Sequence, residues 1–341
     1  MIDVEGVSKK YANHTVLDDI SFSVSEGEIF SILGPNGAGK STAVKIMSAC
    51  LPFTEGRINI AGYDVKNSPT DVKKYISVVG QSVALDENMS ARENLEFFSR
   101  LMGMKKSSAL LLIDQQLDRF GIRDVENKAV KNCSGGMKRR LDLAVALLTV
   151  PKVLFLDEPT TGLDPASRRD IWDIIRDLKQ KNTTVILTTQ YLEEADQLAD
   201  NVILIDEGKI KAQGHPESLK QQFGQLSCGI QPVVFSDIYK IYKILSRYGH
   251  SVIDEEGACV NMLLDNGIKA FIEIIKQIDQ ADIKIADIKL FRPSLDDVFH
   301  AITQNVVHKQ SNDNVFVDTE SHCYDLEQGY STRKYLEKGR L

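Results

Sequence analysis

Over residues 2–24 the apolar positions come in short alternating groups, Ile2 and Val4, then Ile20, Phe22 and Val24, broken by turn formers. A period of two puts such side chains on one face of a strand, so an antiparallel β region is expected there. The pattern changes at Ile29. Ile29-Phe-Ser-Ile-Leu33 is nearly continuous and apolar and ends in a glycine-rich stretch, after which 41–48 reads as a helix. Two further runs, Val153-Leu-Phe-Leu156 and Thr184-Val-Ile-Leu-Thr188, have the composition of inner parallel strands covered on both faces. Ser90-Ala-Arg-Glu93 has capping-box spacing, and Leu95, Phe98 and Met102 recur on one helical face before Gly103 supplies a stop. Residues 82–149 are therefore expected to form a mainly helical insertion. The segments 202–206 and 209–213 flank Glu207-Gly208 as a hairpin, which closes a first domain at about 1–215.

Beyond that point the alternation differs. A strand is expected at 233–235, a helix at 238–246, strands at 251–254 and 259–264, a helix at 268–278 and a strand at 284–291. This β-α-β-β-α-β order predicts a small α+β ferredoxin-like domain within 216–307. The polar tail, 308–341, has weak periodicity and is expected to be partly disordered.

A chain of 341 residues exceeds the usual single domain, which agrees with two domains. Five cysteines, widely spaced and without CxxC pairs, suggest neither a disulfide framework nor a zinc site and fit a reducing setting. The start lacks the apolar core of a secretory signal, and apolar stretches such as 109–113 are far too short to span a bilayer, so work at a membrane requires another polypeptide to cross it. A formal net charge of -7 disfavours broad binding to a phosphate backbone, and nucleic acid is not expected as a partner.

The chemistry lies in Gly34-Pro35-Asn36-Gly37-Ala38-Gly39-Lys40-Ser41-Thr42, which fits GxxxxGK[ST] between an apolar strand and a helix. Glycines let successive N–H groups turn inward around phosphate oxygens, and the helix N-terminus adds partial positive charge. Lys40 is expected to reach the β- and γ-phosphates of ATP, and the Ser41 hydroxyl to ligate Mg²⁺. A glycine-rich turn without a ligand is the bland alternative, and the full spacing disfavours it. The run at 153–156 delivers Asp157 and Glu158 at a strand's C-terminal end, where open α/β sheets bind ligands. Asp157 is expected to hold the metal, and Glu158 to orient and deprotonate the attacking water.

Ser134-Gly135-Gly136 precedes a helix whose Leu141, Ala144, Val145 and Leu148 form an apolar face, giving a second anion site. One triphosphate can hardly use both in one chain. The economical reading is a head-to-tail dimer in which Ser134 to Gly136 of one subunit close over ATP held by the other's phosphate loop.

With these motifs in this order, residues 1–215 resemble the ATP-binding subunits of ABC transporters. The resemblance implies a P-loop ABC ATPase core with an antiparallel β subdomain and a helical subdomain. It places Tyr11 where an aromatic residue stacks on adenine, and Gln81 where a glutamine senses Mg²⁺ and the reacting water. Gly162-Leu163-Asp164 falls where a loop communicates across the dimer. Gln190 replaces the usual histidine at the γ-phosphate. Glutamine can donate a hydrogen bond there but cannot carry charge or shuttle a proton. Met137 and Cys133 also depart from the common signature. These variants, with TTQYLEEADQLAD and Arg292-Pro-Ser-Leu-Asp-Asp-Val-Phe299, look like the daunorubicin-resistance type of export ATPase.

That resemblance implies ATP hydrolysis powering export of a small molecule, drug or peptide through a separate integral-membrane permease. It implies a second ATP-binding subunit, identical or related, and a place on the cytoplasmic face of the membrane. The rival readings are a soluble ABC-type ATPase and a nucleotide-dependent regulatory module. A single P-loop and the lack of sustained heptads speak against the first.

Overall fold

Alternation in the first segment produces two strands, β1 (Ile2–Tyr11) and β2 (His14–Val24), paired antiparallel with Ile2 opposite Val24. Ile2, Val4, Ile20, Phe22 and Val24 are all buried. β3 (Ile29–Leu33), buried at all five positions, leads through the glycine-rich loop into α1 (Lys40–Met47). β4 (Glu55–Ile60) pairs with β1, and β5 (Tyr63–Asp64) completes an antiparallel sheet in the order β2-β1-β4-β5. Ala43, Val44, Ile46 and Met47 of α1 share a core cluster with Val4, Phe22 and Ile58 on one side and Phe30, Phe155 and Ile186 on the other. The helix that starts at the phosphate loop is thus packed between two sheets. The structure is a computed structural model that describes residues 1–310 except 13, 225, 255, 265 and 266, with only the backbone described over 303–310.

A short helix, α2 (Pro69–Lys73), precedes β6 (Ile76–Val79), and α3 (Ala91–Leu101), α4 (Lys106–Arg119) and α5 (Gly135–Ala146) follow. The capping box of α3 is formed: Glu93 N donates to Ser90 Oγ at 3.2 Å, and Ser90 N donates to Glu93 Oε2 at 2.7 Å. The face of α3 that turns inward carries Ala91, Asn94, Leu95 and Ser99, while Phe98 is half-buried and Met102 exposed. The apolar stripe read from the sequence is therefore only partly a core face.

The chain then forms β7 (Val153–Asp157), α6 (Pro165–Gln180), β8 (Thr184–Thr189), α7 (Leu192–Leu198), β9 (Asn201–Asp206) and β10 (Lys209–Gly214). A six-stranded sheet results, β10-β9-β3-β8-β7-β6, parallel except for β10. Every residue of β3, β7 and β8 is buried, as continuous apolar runs require. Positive φ at Glu207 and Gly208 makes the tight turn of the β9–β10 hairpin.

After α8 (Pro216–Phe223) come β11 (Leu226–Pro232), α9 (Ile238–Leu245), β12 (Ser251–Asp254), β13 (Cys259–Leu264), α10 (Gly267–Gln280) and β14 (Ile285–Phe291). Their sheet runs β12-β13-β11-β14 with every neighbour antiparallel, the ferredoxin-like arrangement. The first strand corrects the sequence expectation. It occupies 226–232, whereas Val233, Val234 and Phe235 are exposed and lead into a helical turn. β11 contains Ser227, Gly229 and Gln231, poor strand formers, and is held by pairing with β13 on one side and β14 on the other. Tertiary pairing here overrides propensity.

α11 (Leu295–Gln310) brings Leu295, Val298 and Ile302 against Leu219 of α8 and against Leu33, Ala195, Val202 and Leu204 of the first domain. The expectation of disorder over 311–341 lies outside the described residues. No helix among the described residues is long and apolar enough to cross a membrane.

Candidate nucleotide site

The phosphate loop needs backbone that only glycine supplies readily. Gly34, Gly37 and Gly39 have φ of 155°, 87° and 107°. A Cβ on Gly34 would fall 2.1 Å from Ile205 O, and one on Gly39 would meet Leu17 Cδ2 at 2.7 Å and Val16 O at 2.8 Å. Lys40, the first residue of α1, folds back so that Nζ donates to Gly34 O at 2.8 Å and Pro35 O at 3.0 Å and stands 3.6 Å from Glu158 Oε1. Burial lowers its pKa, opposed by Glu158 and Asp157. Ala38 is buried and packs into the core cluster that includes α1. Asn36 and Gly37 are exposed at the loop's tip, and Thr42 is partly buried in the first turn of α1.

Asp157 ends β7, and β7, β8 and β3 lie side by side, so their C-terminal ends converge. Ser41 Oγ donates to Asp157 Oδ1 at 3.1 Å, and Thr188 Oγ1 of β8 donates to the same oxygen. Glu158 has a left-handed backbone, φ 49°, unusual for a residue with a side chain. Its N–H donates to Thr188 O at 3.0 Å and Thr188 Oγ1 at 3.1 Å, which fixes this turn. Its carboxylate accepts from Thr161 Oγ1 at 3.2 Å and from Gln81 Nε2 at 3.5 Å. Lys40, Ser41, Gln81, Asp157 and Glu158 are thereby brought together from three separate stretches of chain.

Sequence reasoning passed over Arg139 in the signature helix. It is 4% exposed and reaches Pro159 O at 2.8 Å, Gly80 O at 2.7 Å, Asp157 O at 3.2 Å and Asp142 Oδ2 at 3.3 Å. Burial lowers the pKa of Arg139 and raises that of Asp142, each opposed by the other's charge. This one side chain ties α5 to the end of β7 and to the residue before Gln81. A basic residue inside an apolar-faced helix was the available signal.

Ser134 caps α5, its Oγ accepting from Met137 N at 3.3 Å. Ser134 and Gly135 are exposed, whereas Gly136 is buried. A Cβ on Gly136 would fall 2.4 Å from Ser167 Oγ, and one on Gly135 would lie 3.5 Å from Leu163 Cδ2. The neighbours of these glycines are thus the loop after β7 and the start of α6, not the phosphate loop of the same chain. Met137 and Cys133, the unusual signature residues, are partly buried and pack with Leu163 against the core. Asp164 caps α6, accepting from Ala166 N and Ser167 N, both at 3.0 Å.

Gln190 follows β8 directly and is partly buried. Behind it lies the fully buried Glu194, which accepts from Thr160 Oγ1 at 2.8 Å and Trp172 Nε1 at 3.0 Å. Burial raises its pKa, opposed by the hydrogen bonds from Thr160 and Trp172. Tyr11 sits apart, at the end of β1, 47% exposed with Lys9 Nζ 4.7 Å from its ring centroid.

Comparison with known proteins shows the family and the fold. Residues 17–161 match the family described as ABC transporter. The chain is 43% identical over 306 residues to the doxorubicin resistance ATP-binding protein DrrA of Mycobacterium tuberculosis, covering 88% of this chain and 92% of that protein. A solved ATP binding subunit of an ABC transporter superposes with a TM-score of 0.59 at 27% identity, over 66% of this chain and 93% of that one. The dimeric ADP- and phosphate-bound form of an ATP-binding cassette gives 0.58 at 24% identity, over 63% and 98%, and shares the fold. By sequence and by fold, then, the chain belongs to the ABC transporter family, as an ATP-hydrolysing member of its drug-resistance ATP-binding branch.

Proposed function

We propose that this chain binds ATP with Mg²⁺ between two cassettes, identical or related, and that hydrolysis there drives export of a small molecule, drug or peptide through a separate integral-membrane permease. The observation that carries the reading is the meeting of Lys40, Ser41, Asp157 and Glu158 at the C-terminal ends of β3 and β7. Ser41 Oγ and the Asp157 carboxylate, 3.1 Å apart, are hard oxygen donors of the kind Mg²⁺ takes and would hold it with Gln81 nearby. When bound, the ion neutralises phosphate charge.

The chain's own groups do the rest. The N–H groups of residues 34–42 and the Lys40 ammonium cradle the β- and γ-phosphates. The Glu158 carboxylate orients a water and takes its proton as the oxygen attacks the γ-phosphorus and the bond to the β-phosphate oxygen breaks. Gln190 donates a hydrogen bond to the γ-phosphate. Tyr11 stacks on adenine, and Ser134, Gly135, Gly136 and Asp164 complete the site on the partner's nucleotide.

The membrane partner is supported by a second observation. Val83, Phe97, Leu101, Met102 and Leu111 are exposed on the segment after β6 and on α3 and α4, an apolar surface suited to docking a permease. On this reading the chain works peripherally, at the cytoplasmic face of the membrane. The drug-resistance relative supports export.

Steady-state ATPase measurement on the chain assembled with its permease tests the chemistry. Glu158→Gln should lower turnover by roughly 10²–10⁴-fold while ATP still binds. Near-normal turnover would remove Glu158 from its role.

A further inference from the structure

Glu194 lies behind the residues assigned to nucleotide, and its contacts join three segments that the sequence separates. Thr160 belongs to the turn between Glu158 and Asp164, Trp172 to α6, and Glu194 itself to α7, which begins two residues after Gln190. Arg168, one turn before Trp172 on α6, stacks on the Tyr191 ring at 4.8 Å. Gln190 is therefore anchored to α6 through the residues that follow it. The same N-terminal part of α6 starts at the Asp164 cap, and Ser167, next to Arg168, lies against Gly136 of the signature. A path of contacts thus runs from Gly136 through the first two turns of α6 to Tyr191 and Glu194, next to Gln190.

A buried carboxylate is a costly way to fill space, because a leucine of similar size would need no hydrogen bonds. Its use here calls for a reason beyond packing. Oriented acceptors fix direction, which apolar contact does not.

We infer that Glu194 is a positioning residue for hydrolysis: by accepting from Thr160 and Trp172 it holds the Gln190 loop and the turn at 160–164 in one register, so that a shift of α6 reaches Gln190. On this assignment it acts through Gln190 and not on the nucleotide itself. The inference rests on the proposed role of Gln190.

The experiment uses the full chain in its permease complex and compares Glu194→Leu, Glu194→Gln, Trp172→Phe and Gln190→Ala. The readouts are kcat, KM, equilibrium binding of a fluorescent ATP analogue, and thermal unfolding. Because the phosphate loop is untouched, Glu194→Leu should lower kcat roughly tenfold or more, with KM and binding within about twofold of the parent. Glu194→Gln keeps an oxygen able to accept from both donors, and should recover kcat to within about threefold. Trp172→Phe deletes one donor and keeps the carboxylate, and a fall of about threefold in kcat at constant KM is expected.

Unchanged kcat in Glu194→Leu, or in Trp172→Phe if the leucine variant does not fold, overturns the inference. So does a parallel loss of kcat, binding and thermal stability that glutamine fails to relieve. If Gln190→Ala lowers kcat while Glu194→Leu does not, this inference alone fails. If Gln190→Ala leaves kcat unchanged, the Gln190 assignment fails and takes the inference with it.

Discussion

Replacing Arg139 by methionine tests whether α5 is fastened to the end of β7 as its contacts indicate. The substitution keeps the apolar stem and removes donors to Pro159 O, Gly80 O, Asp157 O and the Asp142 carboxylate. Asp142 is 5% exposed, so it is left as a buried acid without its countercharge. Breaking one partner of such a pair costs about 3–5 kcal/mol, a large share of the ~5–15 kcal/mol typical of a folded protein. At roughly 2–4 °C per kcal/mol for a domain of this size, the first unfolding transition should drop by about 6–20 °C.

The loss should depend on pH in a defined direction. Burial raises the pKa of Asp142 and Arg139 opposes that rise. Without the arginine the folded state holds the Asp142 proton to higher pH than the unfolded chain does. It therefore binds more protons through that window, and stability falls as pH rises through it. The variant should be closer to the parent at pH 5 than at pH 8. Arg139→Met combined with Asp142→Leu should be more stable than the sum of the single losses predicts, by about 1–3 kcal/mol. Differential scanning fluorimetry of the four proteins at both pH values is sufficient. A change below about 2 °C for Arg139→Met, or strict additivity in the double variant, would refute the coupling.

Two further predictions concern the loop and the docking surface. Gly39→Ala forces a Cβ to within 2.8 Å of both Leu17 Cδ2 and Val16 O, at a φ of 107°. It should cost about 1–3 kcal/mol in thermal unfolding and weaken ATP binding by fluorescence titration. Leu101, 66% exposed on α3, changed to Asp should reduce recovery of the chain with its permease after detergent extraction, with less than about 0.5 kcal/mol change in stability.

The parts of the site legible in the sequence are those built from consecutive residues. The phosphate loop is one such stretch, and Asp157 and Glu158 follow an apolar run that leaves little choice of fold. Arg139, Thr188 and Glu194 were not legible as site components, since their partners lie 18 or more residues away in chain order, apart from Asp142. Thr188 reads as the end of a buried strand until its hydroxyl is seen on Asp157, and Glu194 reads as one of two acids on a helix. β11 was displaced for a related reason: its weak formers are held by neighbours on both sides, while the stronger formers at 233–235 are exposed and lie beyond the paired register of the sheet. The packing of Leu295, Val298 and Ile302 against the nucleotide-binding domain likewise arises from chain return and not from local pattern.

The claim on which the account turns is that each triphosphate is gripped by the phosphate loop of one subunit and Ser134 to Gly136 of another. Light scattering on size-exclusion chromatography of Glu158→Gln with saturating ATP measures this directly. The account predicts a shift from the 38.1 kDa monomer to a species of twice that mass, and no shift when Ser134→Arg is added although ATP still binds. An ATP-saturated Glu158→Gln protein that stays monomeric both alone and when mixed with a related cassette, or a dimer indifferent to Ser134→Arg, would contradict it.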